Sequence, residues 1–367
     1  MTMRAATLPI QRPRDARLLV VDPRGHIEHR PRTAFVELLR AGDCVIANDA
    51  ATLPASLHGV HQRSGAPVEV RLAGRASLDP ADVKCFTAVV FGAGDFHTPT
   101  EARAAPPALC QGDRLTFGML GATIVRSLDH PRLVELQFDG DATHIWRALA
   151  EQGKPVQYAH LKDALALWDV WTPIAAQPVA FEPPSAGFVL DWQTVDALHA
   201  RGIPFATLTH AAGLSSTGDA ALDLRLPLDE PYRIPPATAA LIEATHARHG
   251  RVVAIGTTVV RALEHAASVD GIVHAGDGVA TQRIGQQTKL RVADVIVSGT
   301  HEPDTSHYAL LRAFTDTLTL LCATEELEAH RYRTHEFGDS LWIERRSCAL
   351  RDSREDSIKT RERFATC

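Results

Sequence analysis

Nowhere in the 367 residues does an apolar run approach the roughly 20 residues that a membrane-spanning helix requires. The six cysteines, Cys44, Cys85, Cys110, Cys322, Cys348 and Cys367, include no CxxC pair, which argues against a structural zinc site and a disulfide framework. Cys44 and Cys85 lie in apolar runs and are expected in the core. Cationic excess is missing as well: 38 Lys and Arg against 44 Asp and Glu leave a net charge of −6, so any contact with nucleic acid has to be local. There is no Walker A segment, and the stretch Phe91 to Asp95 lacks the third glycine, the helix and the downstream acid of a dinucleotide fingerprint. Triphosphate and nicotinamide chemistry are thereby unsupported. The amino-terminal stretch carries arginines without the apolar core of a secretory signal, so a cytoplasmic location is expected.

What is present points to two domains, since a single core stops growing well before this length. Residues 17–22 and 44–47 are short apolar runs bounded by turn residues and are expected as buried strands. Between about 57 and 140, short strands at 68–72, 86–91, around 119–126 and at 133–138 are punctuated by turns, a spacing that fits a small antiparallel barrel or sandwich. After about residue 155 helices and strands alternate. Asp191 caps a helix closed by Gly202, a strand follows at 203–209, Pro235 and Pro236 open a helix ending at Gly250, and a strand at 251–255 leads into a helix at Thr257. That alternation implies a mostly parallel α/β sheet. From about 347 onward the charged chain lacks apolar periodicity and is expected as a loosely ordered tail.

Three loop segments carry chemistry. Gly256, Thr257 and Thr258 bring backbone amides, hydroxyls and a helix dipole to one spot, with Arg261 one turn on and Glu264 beyond it, an arrangement suited to a carboxylate or phosphate. The plain structural alternative is that Thr257 caps the helix while Arg261 pairs with Glu264 at the surface. Pro183 to Gly187 must turn sharply between elements, and Ser185 within it lacks the spacing of a nucleophile elbow. Residues 298–306 follow an apolar strand at 292–297 and precede a long helix expected from Ser306; His301 therefore lies at a strand's carboxyl end, where α/β proteins place catalytic groups, although a solvated loop histidine is the commoner case. The pairs His26/His29, His58/His61 and His246/His249 have no third ligand near them in sequence and are expected to be solvated, so no metal is expected.

Together these segments resemble the S-adenosylmethionine:tRNA ribosyltransferase-isomerase family of queuosine biosynthesis. GlyAspCysValIleAlaAsnAsp at 42–49 is similar to that family's strand ending in Asn-Asp/Asn, and LeuProAlaSerLeuHisGly at 53–59 to its Ile-Pro-Ala-Arg-Leu-x-Gly. ProSerAlaGly at 184–187 resembles Pro-Thr-Ala-Gly, and 251–264 resembles Arg-Val-Ile-Ala-Val-Gly-Thr-Thr-Ser-Val-Arg-x-Leu-Glu. His301, Pro303 and Ser306 fall on Asn-Phe-His-Leu-Pro-x-Ser-Thr, and 332–343 tracks Tyr-Arg-Phe-Phe-Ser-Tyr-Gly-Asp-Ala-Met-x-Ile. The resemblance implies an α/β domain with an inserted antiparallel β-barrel, assigned here as 1–56 plus 155–346 and 57–150, with 347–367 as the tail. It also implies transfer and rearrangement of the ribosyl group of S-adenosylmethionine onto a deazaguanine aminomethyl group in tRNA, with release of adenine and methionine. Ser185, Ala186, Gly187, Gly256, Thr257, Thr258, Arg261 and Ser306 would then hold S-adenosylmethionine, and His301, Asp49, Glu264 and His210 would be the catalytic candidates.

Departures cluster at polar positions. Val189, Ala211 and Leu228 stand in histidine registers, His210 stands one place early on its strand, and Ala51 and Ser56 stand where cations follow Asn-Asp. A one-residue step along a strand turns the side chain to the other face. These losses lead to the expectation of a diverged transferase or isomerase acting on a small-molecule acceptor without specific tRNA binding. The unaltered tRNA modification, or a non-catalytic S-adenosylmethionine-binding protein, is the alternative.

Overall fold

The computed structural model describes residues 3–303 and 305–346, so the expected tail lies outside the described residues. Its centre is a nine-stranded sheet. From one edge the order is Gly276–Ala280, Glu230–Ile234, Phe205–His210, Cys44–Asn48, Val252–Ile255, Val295–Gly299, Ser340–Glu344, Arg17–Val21 and Ile27–Pro31. The four middle strands, Phe205–His210 to Val295–Gly299, run parallel, and antiparallel strands flank them. Cys44–Asn48, Val252–Ile255 and Val295–Gly299 are largely apolar on both faces because both are covered. Cys44, Ile46, Val252 and Ala254 pack with Ile242, Val260, Leu263 and Leu327 from the helices Pro236–Ala247, Thr257–Ala266 and Thr317–Ala329. Val45, Ala47, Val253 and Ile255 pack instead with Phe35, Leu190 and Leu198.

Six antiparallel strands between Ser56 and Phe138 close a barrel in the order Leu120–His130, Leu133–Phe138, Cys85–Phe91, Ala66–Gly74, Ser56–His61 and Arg114–Phe117. Two of these, Ser56–His61 and Arg114–Phe117, were not legible in the sequence. The first is broken by Gly59, whose lack of a side chain is required: a Cβ there would lie 2.2 Å from the Thr116 carbonyl oxygen of the second. The barrel's core is not wholly its own, since Phe181, Leu214 and Leu222 complete it from the α/β part. The chain enters and leaves the barrel through a parallel ribbon of Ala50–Thr52 against Gln177–Ala180.

Two local expectations are corrected. The long helix from Ser306 is two helices, Ser306–Leu311 and Thr317–Ala329, because Phe314 turns into the core and the Asp316 carboxylate accepts the Thr319 amide as a new cap. Cys85 is exposed at the start of its strand, whereas Cys44 is buried. Among the described residues no helix is long and apolar enough to cross a membrane.

Candidate active site

The carboxyl ends of three of the four parallel strands, Phe205–His210, Val252–Ile255 and Val295–Gly299, open onto one crevice, the place where α/β folds put their ligand sites. Val252–Ile255 turns into its helix at Gly256, whose φ of +97° is a left-handed value that only glycine adopts without strain. Its amide donates to the Val297 carbonyl at 2.8 Å, which ties this turn to the neighbouring strand. Ser185 and Ala186 from one loop, Gly256, Thr257, Thr258 and Arg261 from the helix start, and Ser298, His301 and Ser306 from the third loop line a narrow cleft of about 90 Å³. The three loops singled out in the sequence therefore meet. Gly187 stands just behind them, where a Cβ would press to 2.9 Å on the Thr172 methyl, so its smallness serves packing. The cleft shares Glu182, Pro183, Ser185, His301 and His307 with a larger cavity of about 610 Å³, to which Tyr158, His160 and His335 also contribute.

Two titratable groups on this shared wall escaped the sequence reading. Burial pushes the Glu182 carboxyl up to about 7, against the Tyr158 hydroxyl that donates to it. Nothing in the local sequence marks Glu182 apart from its place before the Pro-Pro turn. His307 stacks on His301 with ring centroids 4.6 Å apart, and burial followed by the Arg261 charge lowers His307 to about 4. His301, half-buried, faces the Ser298 hydroxyl through Nε2 at 3.1 Å, and burial drives its pKa well below the usual histidine value. Both rings are consequently neutral near pH 7 and offer hydrogen bonds rather than charge.

Several candidates are engaged elsewhere in the structure. Arg261 touches the cleft, yet its guanidinium is tied to the Glu230 carboxylate and to the Ala280 carbonyl at 2.9 Å, which limits it as a free anion clamp. His210 is fully buried beneath, 3.4 Å from Glu230, and burial together with Arg261 holds it neutral. Glu264 does not pair with Arg261. Its carboxylate accepts the amides of Arg291, Val292 and Ala293 at 2.7, 3.0 and 3.0 Å and anchors that loop away from the crevice. Asp49 accepts the hydroxyls of Thr207 and Thr209 at 2.7 and 2.6 Å, and it is Asn48 that reaches the site, donating to the Thr258 hydroxyl at 3.3 Å. Glu264 and Asp49 thus hold the scaffold; neither is among the residues that line the crevice.

The departures also read differently in three dimensions. Ala51 and Ser56 are only 5% and 4% exposed, so a cation at either position would face the interior rather than a phosphate. The Ser56 hydroxyl donates to Glu69 at 2.8 Å, and that carboxylate is further held by Arg71 and Arg103. Of the basic clusters, Arg12 donates to the Leu190 carbonyl at 2.6 Å, and Arg17 and Arg333 both bind Asp339. His61, expected in solvent, is buried between Ser64 and Asp113.

Residues 2–343 match the family described as Queuosine biosynthesis protein. The chain is 30% identical over 350 residues, 92% of its length and 95% of the relative's, to an S-adenosylmethionine:tRNA ribosyltransferase-isomerase of Symbiobacterium thermophilum. It is 32% identical to the protein of the same name in Anaeromyxobacter dehalogenans, over 91% of this chain and 94% of that one. A crystal structure of an S-adenosylmethionine tRNA ribosyltransferase from Thermotoga maritima aligns over 94% of this chain and 98% of its own at 22% identity, with a TM-score of 0.49.

Proposed function

The chain belongs to the queuosine biosynthesis protein family, and from that premise we propose that it is an S-adenosylmethionine:tRNA ribosyltransferase-isomerase. The observation that carries the reading is the meeting of the 184–187, 256–261 and 298–306 segments in one crevice at the carboxyl ends of parallel strands. In this reading the amide-rich start of the helix Thr257–Ala266, with the hydroxyls of Thr257, Thr258 and Ser185, takes the methionine carboxylate. The neutral rings of His301 and His307 hydrogen-bond the ribose or adenine. Glu182 is the base. The sulfonium acidifies the C5′ hydrogens, and a carboxylate whose pKa sits near 7 is suited to take one and then to protonate the departing adenine. Arg261 and the Gly213 amide keep Glu230 in place beneath the cleft.

The acceptor in this reading is tRNA. The contrary expectation of a small-molecule acceptor leaned on the net charge of −6, the lost histidines and Ala51 and Ser56; the relatives, named as tRNA ribosyltransferase-isomerases, do not support it, and the two buried positions carry no argument about phosphate contacts. A cytoplasmic location accompanies this activity. Incubation with S-adenosylmethionine and deazaguanine-containing tRNA should release adenine only when both are present, with a ribosyl-derived group retained on the tRNA. Release that requires a small deazaguanine amine and ignores tRNA would overturn the acceptor. Binding of S-adenosylmethionine without adenine release under either condition would overturn the enzymatic reading.

A further inference from the structure

The larger cavity carries a group of side chains that the ribosyl-transfer reading does not use. His160, His335 and Glu336 each present one ligand atom, and the three atoms lie within 4.8 Å of one another. His160 Nε2 is 3.1 Å from Glu336 Oε2, and the two imidazoles stack with centroids 4.3 Å apart at 14°. A tetrahedral zinc ion with nitrogen and oxygen ligands at about 2.0–2.2 Å spaces its ligand atoms by roughly 3.4 Å, so the three atoms lie near that spacing, and the two rings have to turn out of their parallel stack for both nitrogen lone pairs to meet one ion. His160 and Glu336 are 176 positions apart, so no local spacing marks them as a set.

The backbone holds these groups ready. His335 has φ of +68°, a left-handed value that is unfavourable for a residue with a Cβ and is kept by its surroundings. Its carbonyl accepts the Gly338 amide at 3.0 Å, and Gly338 is pressed so closely on the strand before it that a Cβ would lie 2.3 Å from the Arg333 carbonyl oxygen. His160 and Glu336 are largely shielded, with side chains 13% and 18% exposed. His335 and Glu336 also fall where the family pattern quoted above carries Phe and Ser, so the set is a departure that adds ligand-type side chains. We propose that His160, His335 and Glu336 form a site for one divalent transition-metal ion of the zinc class, with its open coordination position toward the cavity shared with His301 and His307.

A second trio, His29, Glu326 and His330, lies on the surface and supplies the control. The full chain, stripped with a chelator, is titrated with Co(II) while the visible d–d absorption is followed, and with Zn(II) by calorimetry. One equivalent is expected to bind, with affinity falling by at least about tenfold in H335F, E336S and H160Q and unchanged in H330A. Circular dichroism identifies any variant that fails to fold, in which case the remaining two decide. Absence of a bound equivalent, or binding that survives all folded variants of the first trio, would overturn the site; loss in H330A alone would place the ion at the surface trio.

Discussion

Single side chains divide into those that face the crevice and those that hold it. Glu182 belongs to the first group. Because its carboxyl is raised to about 7, the base form is populated only above that value, so kcat/KM measured with chelator present should rise with pH through about 7 and level off above it. E182Q should remove that limb along with most of the turnover; an unshifted profile in E182Q would assign the base elsewhere. Arg261 belongs to the second group. R261A leaves the buried Glu230 without its cation and should cost about 3–5 kcal/mol in denaturant unfolding, whereas R261M combined with E230Q should recover much of that loss. Equal destabilisation in the single and double variants would show the pair to be uncoupled. The sequence suggested Arg261 as a ligand clamp because it stands one turn beyond the Gly-Thr-Thr helix start, where amides, hydroxyls and the helix dipole converge. Its partners, Glu230 and the carbonyl at Ala280, come from strands that local spacing cannot reveal. Glu182 and His307 stayed hidden for a related reason, since burial is what tunes them and no motif records it.

Elements were more legible than side chains wherever capping and periodicity agreed. Asp191 accepts the Thr194 amide at 2.6 Å, and Pro236 opens its helix. The strand–Gly–helix passage at 252–257 was readable because apolar run, glycine and helix start follow in order. G256A tests what that turn contributes: forcing a Cβ into φ of +97° should cost about 1–2 kcal/mol, and it should raise KM for S-adenosylmethionine by disturbing the amides of Thr257 and Thr258. A change in melting temperature with KM unaltered would separate the turn from ligand binding. The carboxylate of Glu264 works at the far end of the same helix. E264A strands three backbone amides at 291–293 and is expected to lose about 3 kcal/mol of stability with little change in kcat at temperatures where it remains folded. The barrel strand Ser56–His61 was invisible for a physical reason: its two histidines and Gly59 break the apolar alternation, and the close approach that requires the glycine comes from Thr116 on the neighbouring strand, more than fifty residues on.

At the scale of the molecule, the inserted barrel and the split sheet raise a question of order in time. The strands Arg17–Val21 and Ile27–Pro31 pair with each other, but their link to the rest of the sheet is Ser340–Glu344, and Cys44–Asn48 finds its neighbours only at Phe205–His210 and Val252–Ile255. All six barrel strands lie between Ser56 and Phe138. On the ribosome, therefore, the middle of the chain has its hydrogen-bond partners in hand while the beginning has to wait for the end. A stalled nascent chain of about 200 residues should show protease protection over the barrel and cleavage within residues 17–48, since domains form as their contacts emerge. The missing Phe181, Leu214 and Leu222 contacts would make an isolated 57–150 fragment melt below the barrel of the intact chain. Until Ser340–Glu344 arrives, one edge of Arg17–Val21 is an unpaired, apolar strand, the kind of edge that recruits other chains. The ribbon of Ala50–Thr52 and Gln177–Ala180 thus has a temporal meaning: when Gln177–Ala180 pairs, the two ends of a finished insert close, and the amino-terminal strands, kept through its synthesis, are brought alongside the part of the chain that will complete their sheet.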